Sequence, residues 1–180
     1  MDSAFIRAFR PRVHTVCGMR LKPFSLSLLL ELEATNSPFR VMWGEIVEDL
    51  DGPLLAQRIW RSVAACADRR PRFRFLDGIR SHSFEAEPVT IAFAAYIEDH
   101  LVYPEVWQDA EASGQVNAPW LLAKATFLLM QTSLTKEDVW TMPIGQALWY
   151  AAAASEQLGG AQLLSEEERK IVDAIERDRR

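Results

Sequence analysis

The chain has 180 residues, of which 49% are hydrophobic and 25% are charged, and its formal net charge is −5 at pH 7. This apolar fraction is large enough for a folded core and excludes a chain that is disordered throughout. Two cysteines are too few for a disulfide-stapled scaffold, and no apolar run approaches the roughly 20 residues of a membrane-spanning helix. We therefore expect a single domain in the cytoplasm, with no membrane segment and no signal peptide.

The net charge hides an asymmetry between the two halves of the chain. Residues 1–82 hold 13 Lys/Arg against 9 Asp/Glu, and residues 83–180 hold 7 against 16. This split indicates oriented assembly or a homo-oligomer as much as a nucleic-acid role, although two oppositely charged halves of one surface are the favoured interpretation. Residues 1–22 are predicted to form an irregular basic N-terminal arm before a single helical domain over 23–180. The alternative is a strand or loop that lies over the core.

The first half of the domain predicts two long helices. Ser25 can cap a helix over 23–35 that is apolar on most sides. The stretch 39–50 fits either a strand or a helix, and we favour a short helix from about Trp43. A second long helix is predicted to begin at Asp51-Gly52-Pro53 and to bury one face, which consists of Leu55, Ile59, Val63 and Cys66.

The segment 69–86 mixes arginines with phenylalanines. The Asp77-Gly78 pair is typical of a tight turn and predicts a minor β-hairpin near residues 73–82. Basic residues between aromatics also describe a platform for single-stranded nucleic acid, although an extended loop with solvated arginines is the favoured alternative. Arg72 and Arg74 are candidate partner-binding residues.

The second half of the domain predicts more helices. A third long helix begins at Pro88, carries Ile91, Ala92, Ala95, Tyr96 and Leu101, and ends before Pro104. A short turn through Val106 and Trp107 follows it. Asn117 and Pro119 then start a helix. Its predicted inward face consists of Leu121, Leu122, Ala125, Leu128 and Leu129.

The clearest signals lie at the end of the chain. Thr135 to Asp138 has the form of a capping box, and the short helix it begins must end near Met142 because Pro143 follows. Thr141 is predicted to cap the next helix, which Gly159-Gly160 ends. A second capping box, Ser165 to Glu168, begins a final helix with an apolar side of Ile171, Val172 and Ile175. The predicted fold class is all-α, a compact antiparallel bundle of about six to seven helices.

The sequence contains no recognisable catalytic, phosphate-binding or metal-binding motif. It has no phosphate-binding glycine loop, no Gly-x-Ser-x-Gly elbow and no His-Glu-x-x-His pair. His14-x-x-Cys17 has a metal-like spacing but lacks a second close pair, and Glu98-Asp99-His100 is more typical of a solvated helix face than of an acid–base site. We predict no catalytic residue, no metal and no cofactor.

Tryptophan is frequent, with six in the chain. Indole rings bury a large area and are enriched at interface hot spots. Most of the six should belong to the core. Trp107 and Trp140 are the two that we predict at a partner surface.

Three blocks of sequence resemble a known class of proteins. They are Met19 to Glu31 with Ser37-Pro38-Phe39, the leucines Leu50, Leu54 and Leu55 before Cys66, and Val139-Trp140-Thr141-Met142-Pro143 before Ala147-Leu148-Trp149-Tyr150. The pattern is similar to small helical tail assembly chaperone-like proteins of phages and prophages. The resemblance implies a non-enzymatic assembly factor that binds a helical protein such as a tail tape-measure protein.

Two other functions are kept as alternatives. One is a nucleic-acid-associated factor that uses the basic arm and the segment from Arg69 to Arg80. Its binding would weaken steeply with salt. The other is an enzyme with an unrecognised site near His100, which would need a deep pocket lined with buried titratable groups.

Overall fold

The structure is a computed structural model that describes residues 3–35, 37–40, 45–46, 52–68, 86–107, 119–160 and 162–178. Within these ranges the chain forms eight helices, which confirms the predicted all-α class. They are α1 Ser3–Phe9, α2 Leu26–Ala34, α3 Gly52–Cys66, α4 Ala86–His100, α5 Trp120–Gln131, α6 Lys136–Thr141, α7 Ile144–Gln157 and α8 Glu166–Asp178.

The strands of the described ranges form three antiparallel pairs of two residues each. The pairs are β1 Thr15–Val16 with β2 Met19–Arg20, β3 Phe39–Arg40 with β4 Glu45–Ile46, and β5 Val106–Trp107 with β6 Gln162–Leu163. They connect the segments between helices and do not build a central sheet. The hairpin predicted near residues 73–82 lies outside the described residues.

The first 22 residues differ from the predicted irregular arm. Helix α1 packs against α7, with the Phe5 ring 5.4 Å from Trp149 and the Phe9 ring 5.5 Å from Tyr150. A β-hairpin follows, and positive φ angles at Cys17 and Gly18 provide the tight turn between β1 and β2. The irregular arm was wrong for these residues because their arginines concealed a short apolar face, which the contact with α7 completes. The alternative, a strand that lies over the core, holds at β1, where Val16 is buried.

An extended segment, residues 21–25, lies at the centre of the fold. The Lys22 amide donates to the Cys66 carbonyl at the end of α3 (2.8 Å), and the Ile144 amide at the start of α7 donates to the Phe24 carbonyl (2.7 Å). The Tyr96 hydroxyl on α4 donates to the Lys22 carbonyl at 2.8 Å. One short segment therefore holds three helices through its backbone groups, which must find partners once buried.

Helix α2 follows this segment directly and forms much of the core. The Ser25 side chain accepts a hydrogen bond from the Leu28 amide, as predicted for the cap. Four of the leucines are buried, Leu26, Leu28, Leu29 and Leu32, while Leu30 is exposed. Helix α3 turns its predicted face inward, with Ile59, Val63 and Cys66 buried. Phe93 and Tyr96 of α4 close the core beside Phe39 and Phe24.

Three local predictions were wrong. The helix favoured from about Trp43 is excluded at residues 45–46, where β4 pairs with β3. Val106 and Trp107 form a strand with β6 in place of a turn, because a distant segment supplies the pairing partner. Thr141 does not cap α7: its hydroxyl donates to the Glu137 carbonyl within α6, and Pro143 occupies the N-cap position of α7.

The two capping boxes and the glycine stop near the end of the chain were confirmed. Thr135 and Asp138 form a reciprocal capping box at α6. Ser165 and Glu168 do the same at α8, with the Ser165 amide donating to the Glu168 carboxylate at 2.8 Å. Gly159, with a φ of +74°, follows the end of α7 in the left-handed conformation of a C-terminal cap.

Helices α1 and α7 approach closely at Gly145, which yields the first prediction. A Cβ atom there would lie 3.0 Å from the His100 carbonyl oxygen and 3.3 Å from the Cα of Ala8. These neighbours are backbone atoms that cannot rotate away. We expect Gly145→Ala to lose about 1 kcal/mol of unfolding free energy in denaturant titration, because overpacking outweighs the gain in helix propensity.

The half-buried Ala153 on the same helix provides the control. Ala153→Gly measures the propensity difference away from the close contact, and its expected cost is about 1 kcal/mol. A Gly145→Ala protein more stable than the wild type would contradict the close packing of these helices.

Candidate functional site

A buried polar cluster joins the β1–β2 hairpin region to α4. Its members are His14, Cys66, Tyr96, Asp99 and His100. The His100 side chain is at the end of α4, where only 3% of the residue is exposed. Its Nδ1 lies 2.8 Å from the Tyr96 carbonyl oxygen. Because a carbonyl can only accept, Nδ1 donates, and the Nε2 atom has no hydrogen-bond partner among the described residues.

His14 completes the cluster from the loop before β1. Its Nε2 lies 3.1 Å from the Asp99 carboxylate, in a geometry that is not aligned as a hydrogen bond. The His14 ring lies 5.7 Å from the His100 ring and 5.5 Å from the Tyr96 ring. The histidine and the carboxylate therefore tie the N-terminal loop to α4.

The predicted solvated face at residues 98–100 was wrong for His100. Helix α4 buries Phe93, Tyr96, Ile97 and His100, a stripe with spacings of three and four residues, whereas Ile91 is 63% exposed. The alanines and isoleucines of α4 lie on several sides of the helix, so its sequence is compatible with more than one buried face. The hairpin packed on α4 decides which one is covered.

Burial keeps three members of the cluster, Cys66, Tyr96 and His100, in their neutral forms. It raises the pKa of the Cys66 thiol to about 12, so this thiol is a poor source of nucleophilic thiolate. Burial also raises the pKa of the Tyr96 phenol, and it lowers the pKa of His100 against the opposing effect of the Tyr96 carbonyl. Closed packing and neutral groups favour a structural role for this cluster.

Within the described ranges, no three His, Cys, Asp or Glu side chains converge as a metal ion would require. Cys17 is exposed on the hairpin turn and Cys66 is buried in the core. The two cysteines thus lie in different environments, and the His14-x-x-Cys17 spacing does not gather further ligands.

Helix α5 exposes an apolar face that the sequence had placed inward. Leu122 is 52% exposed, Leu129 38% and Met130 73%, while Ala125 and Leu128 are buried. The helix is apolar nearly all round, so its pattern does not indicate which side packs. Contacts with α6 and α7 cover one side. The other side leaves the α5 face, defined as Leu122, Thr126, Leu129 and Met130, accessible to solvent.

The residues predicted to bind a partner are only partly described. Trp140 lies on α6, the helix that packs beside α5, and its half-buried ring contacts the core. Trp107 belongs to β5, where its backbone pairs with Gln162. Arg72 and Arg74 lie outside the described residues. Met130 was missed, although the run of Leu128, Leu129 and Met130 has more apolar side chains than one helix face can bury.

No family model, curated protein or solved structure matches this chain. In the part of the chain that the structure describes, no helix has both the length and the apolar character needed to cross a bilayer. The described residues thus present two candidate sites, a closed polar cluster at His100 and an open apolar face on α5.

The His100 environment predicts how stability depends on pH. Burial lowers the pKa of His100 below its ordinary value of 6.5. As pH falls, His100 therefore binds a proton in the unfolded chain at a higher pH than in the folded chain. Unfolding free energy should then fall as pH drops below about 6.5, by at most about 1.4 kcal/mol per pH unit for one proton. The loss should end once pH passes the folded-state pKa.

Denaturant titrations at a series of pH values measure this slope. His100→Asn keeps a donor for the Tyr96 carbonyl and removes the titrating group. Its unfolding free energy should be lower than that of the wild type at pH 8 and should change less between pH 8 and pH 5. An unchanged slope in this variant would contradict the assignment to His100.

Proposed function

We propose that this chain is a non-enzymatic protein-binding factor that receives a helix of its partner on the α5 face. The single observation that carries the proposal is the exposure of Leu122, Leu129 and Met130 on one side of α5. Their spacing of seven and eight residues matches one continuous helix face. An amphipathic helix of a partner protein commonly packs its apolar side against an exposed apolar surface of this kind.

The composition of the α5 face supports an apolar contact. Helix α5 has no acidic residue and a single basic one, Lys124. Met130 has a flexible thioether side chain that adapts to differently shaped partners. Trp140, half-buried on the neighbouring α6, can supply an aromatic edge to the same contact.

The biological setting that we propose is phage or prophage tail assembly. It is supported by the resemblance in the blocks Met19 to Glu31 and Val139 to Tyr150. The partner would then be a tape-measure or another helical virion protein, and the chain would act as an assembly chaperone in the host cytoplasm. In this role the chain would cover the apolar side of a partner helix until the partner is incorporated into the virion.

Co-purification with a tape-measure protein encoded beside this chain tests the proposal. Leu129→Glu places a charge on the α5 face and should weaken the complex by about tenfold or more, as the loss of an interface residue that carries binding energy does. Ile91→Glu is the matched control, because Ile91 is also an exposed apolar residue but lies on α4. It should bind as the wild type does.

Two outcomes would count against this function. One is a complex that forms equally well with the Leu129→Glu protein. The other is binding to heparin or single-stranded DNA that weakens steeply between low and high salt, together with no binding of the helical protein. That second result would favour the nucleic-acid alternative and its basic segments.

A further inference from the structure

The N-terminal unit, defined as residues 3–20, consists of α1, the loop after it and the β1–β2 hairpin. Within this unit only Ala8 and Val16 are buried. Its backbone is attached to α3 at its end, where the Asp68 amide donates to the Arg20 carbonyl at 2.8 Å. A helix of seven residues such as α1 is not stable in water by itself. Segments with few buried contacts open most readily, so the unit depends on the side chains that dock it.

Two sets of side chains dock the N-terminal unit. In the first, the Phe5 ring of α1 lies 5.4 Å from the Trp149 ring of α7. In the second, the His14 Nε2 lies 3.1 Å from the Asp99 carboxylate, and the His14 ring lies 5.7 Å from the His100 ring. The joint between the unit and α4 therefore contains two imidazoles, whose charge changes near neutral pH, and one carboxylate.

The N-terminal unit covers one side of the His100 ring. The aromatic neighbours of this ring are Tyr96 on its own helix and His14 from the unit. Asp99 precedes it on α4, and Cys66 of α3 lies beside Tyr96. Removing the unit would therefore uncover the ring on the His14 side and leave its contact within α4 in place.

Helices α1 and α7 meet the same end of α4 without placing a charge there. A Cβ atom on Gly145 would lie 3.0 Å from the His100 carbonyl oxygen and 3.3 Å from Ala8 of α1. The basic residues of α1, Arg7 and Arg10, are exposed. The charge balance at the His100 ring is therefore set by the side chains that α4 and the loop before β1 supply.

Protonation affects the two histidines of this joint in opposite ways. A positive charge on His14 is attracted by the Asp99 carboxylate beside it and keeps the unit docked. A positive charge on His100 would be buried, with no hydrogen-bond partner for Nε2 among the described residues, and would be repelled by a charge on His14. One carboxylate cannot balance two imidazolium groups in a site that excludes water.

We propose that the N-terminal unit is an acid-sensitive strap, in which protonation of His100 releases residues 3–20 while the helices behind them stay folded. Release lets water reach the His100 ring. It also uncovers Trp149 and Val102, which pack with Ala8 of α1 in one apolar cluster. The strap uses none of the residues of the α5 face and is independent of the proposed function.

The direction of the pH effect follows from the burial of His100. In the docked form burial lowers the pKa of His100 below 6.5, whereas a hydrated ring in the released form has its ordinary pKa. The docked form is therefore fully favoured above pH 6.5 and becomes less favoured as pH falls below it. For one proton, the released fraction rises by at most about tenfold per pH unit.

Hydrogen exchange of the full chain at pH 7.5 and pH 5.5, measured by mass spectrometry and corrected for the intrinsic pH dependence of amide exchange, tests the release. Peptides from residues 3–20 report opening of the unit, and peptides from the core helix α2 report unfolding of the whole domain. In the wild type, protection of the unit should be lower than that of α2 at both pH values and should fall by about three- to tenfold at pH 5.5. Protection of the unit that equals that of α2, or that does not change with pH, would overturn the proposal.

Two variants test the roles of the charged groups in the same measurement. His100→Asn removes the titrating ring, so protection of the unit should be nearly the same at the two pH values. Asp99→Asn removes the group that attracts a charged His14. Its unit should be protected as in the wild type at pH 7.5, where imidazoles are mostly uncharged, and less than in the wild type at pH 5.5.

Either variant can contradict the strap. A wild-type fall in protection in the His100→Asn protein would show that another group drives the release. Equal protection of the unit in the Asp99→Asn and wild-type proteins at pH 5.5 would remove the role of the carboxylate. The wild-type and Asp99→Asn profiles decide the proposal even if the His100→Asn protein does not fold.

Discussion

The extended segment 21–25 is the constraint on which the rest of the structure depends. Its backbone groups are buried among helices, so each must find a hydrogen-bond partner within the protein. The Cys66 carbonyl, the Tyr96 hydroxyl and the Ile144 amide supply these partners from α3, α4 and α7. The Phe24 side chain fills the space between them and is fully buried. Three helices far apart in sequence are thereby fixed around five residues.

The polar groups near this segment act in support of the same packing. Burial keeps Cys66, Tyr96 and His100 in their neutral forms, since an ionised group there would lose its hydration. The contact of His14 with Asp99 (3.1 Å) attaches the N-terminal hairpin to α4 at the edge of the cluster. These few titratable side chains thus join α3, α4 and the N-terminal loop, whereas Leu122, Leu129 and Met130 of α5 remain exposed.

Exposed apolar side chains lie on α5 and on α8. The face of α5 belongs to a helix that is well packed on its other side against α6 and α7, so it presents a firm surface. The last helix, α8, also exposes isoleucines, Ile171 and Ile175.

The sequence alone determined those features that depend on neighbours along the chain. The Ser25 cap, the two capping boxes and the left-handed Gly159 need only residues three or four positions apart, and they mark one end each of α2, α6, α7 and α8, four of the eight described helices. Tertiary structure decided which side of each helix is buried. Helices α4 and α5 are apolar on several sides, so only the packing of the hairpin, α6 and α7 could bury His100 and expose Leu122, Leu129 and Met130. The same holds for α1 and the strand at Val106, whose partners lie tens of residues away and leave no local signal.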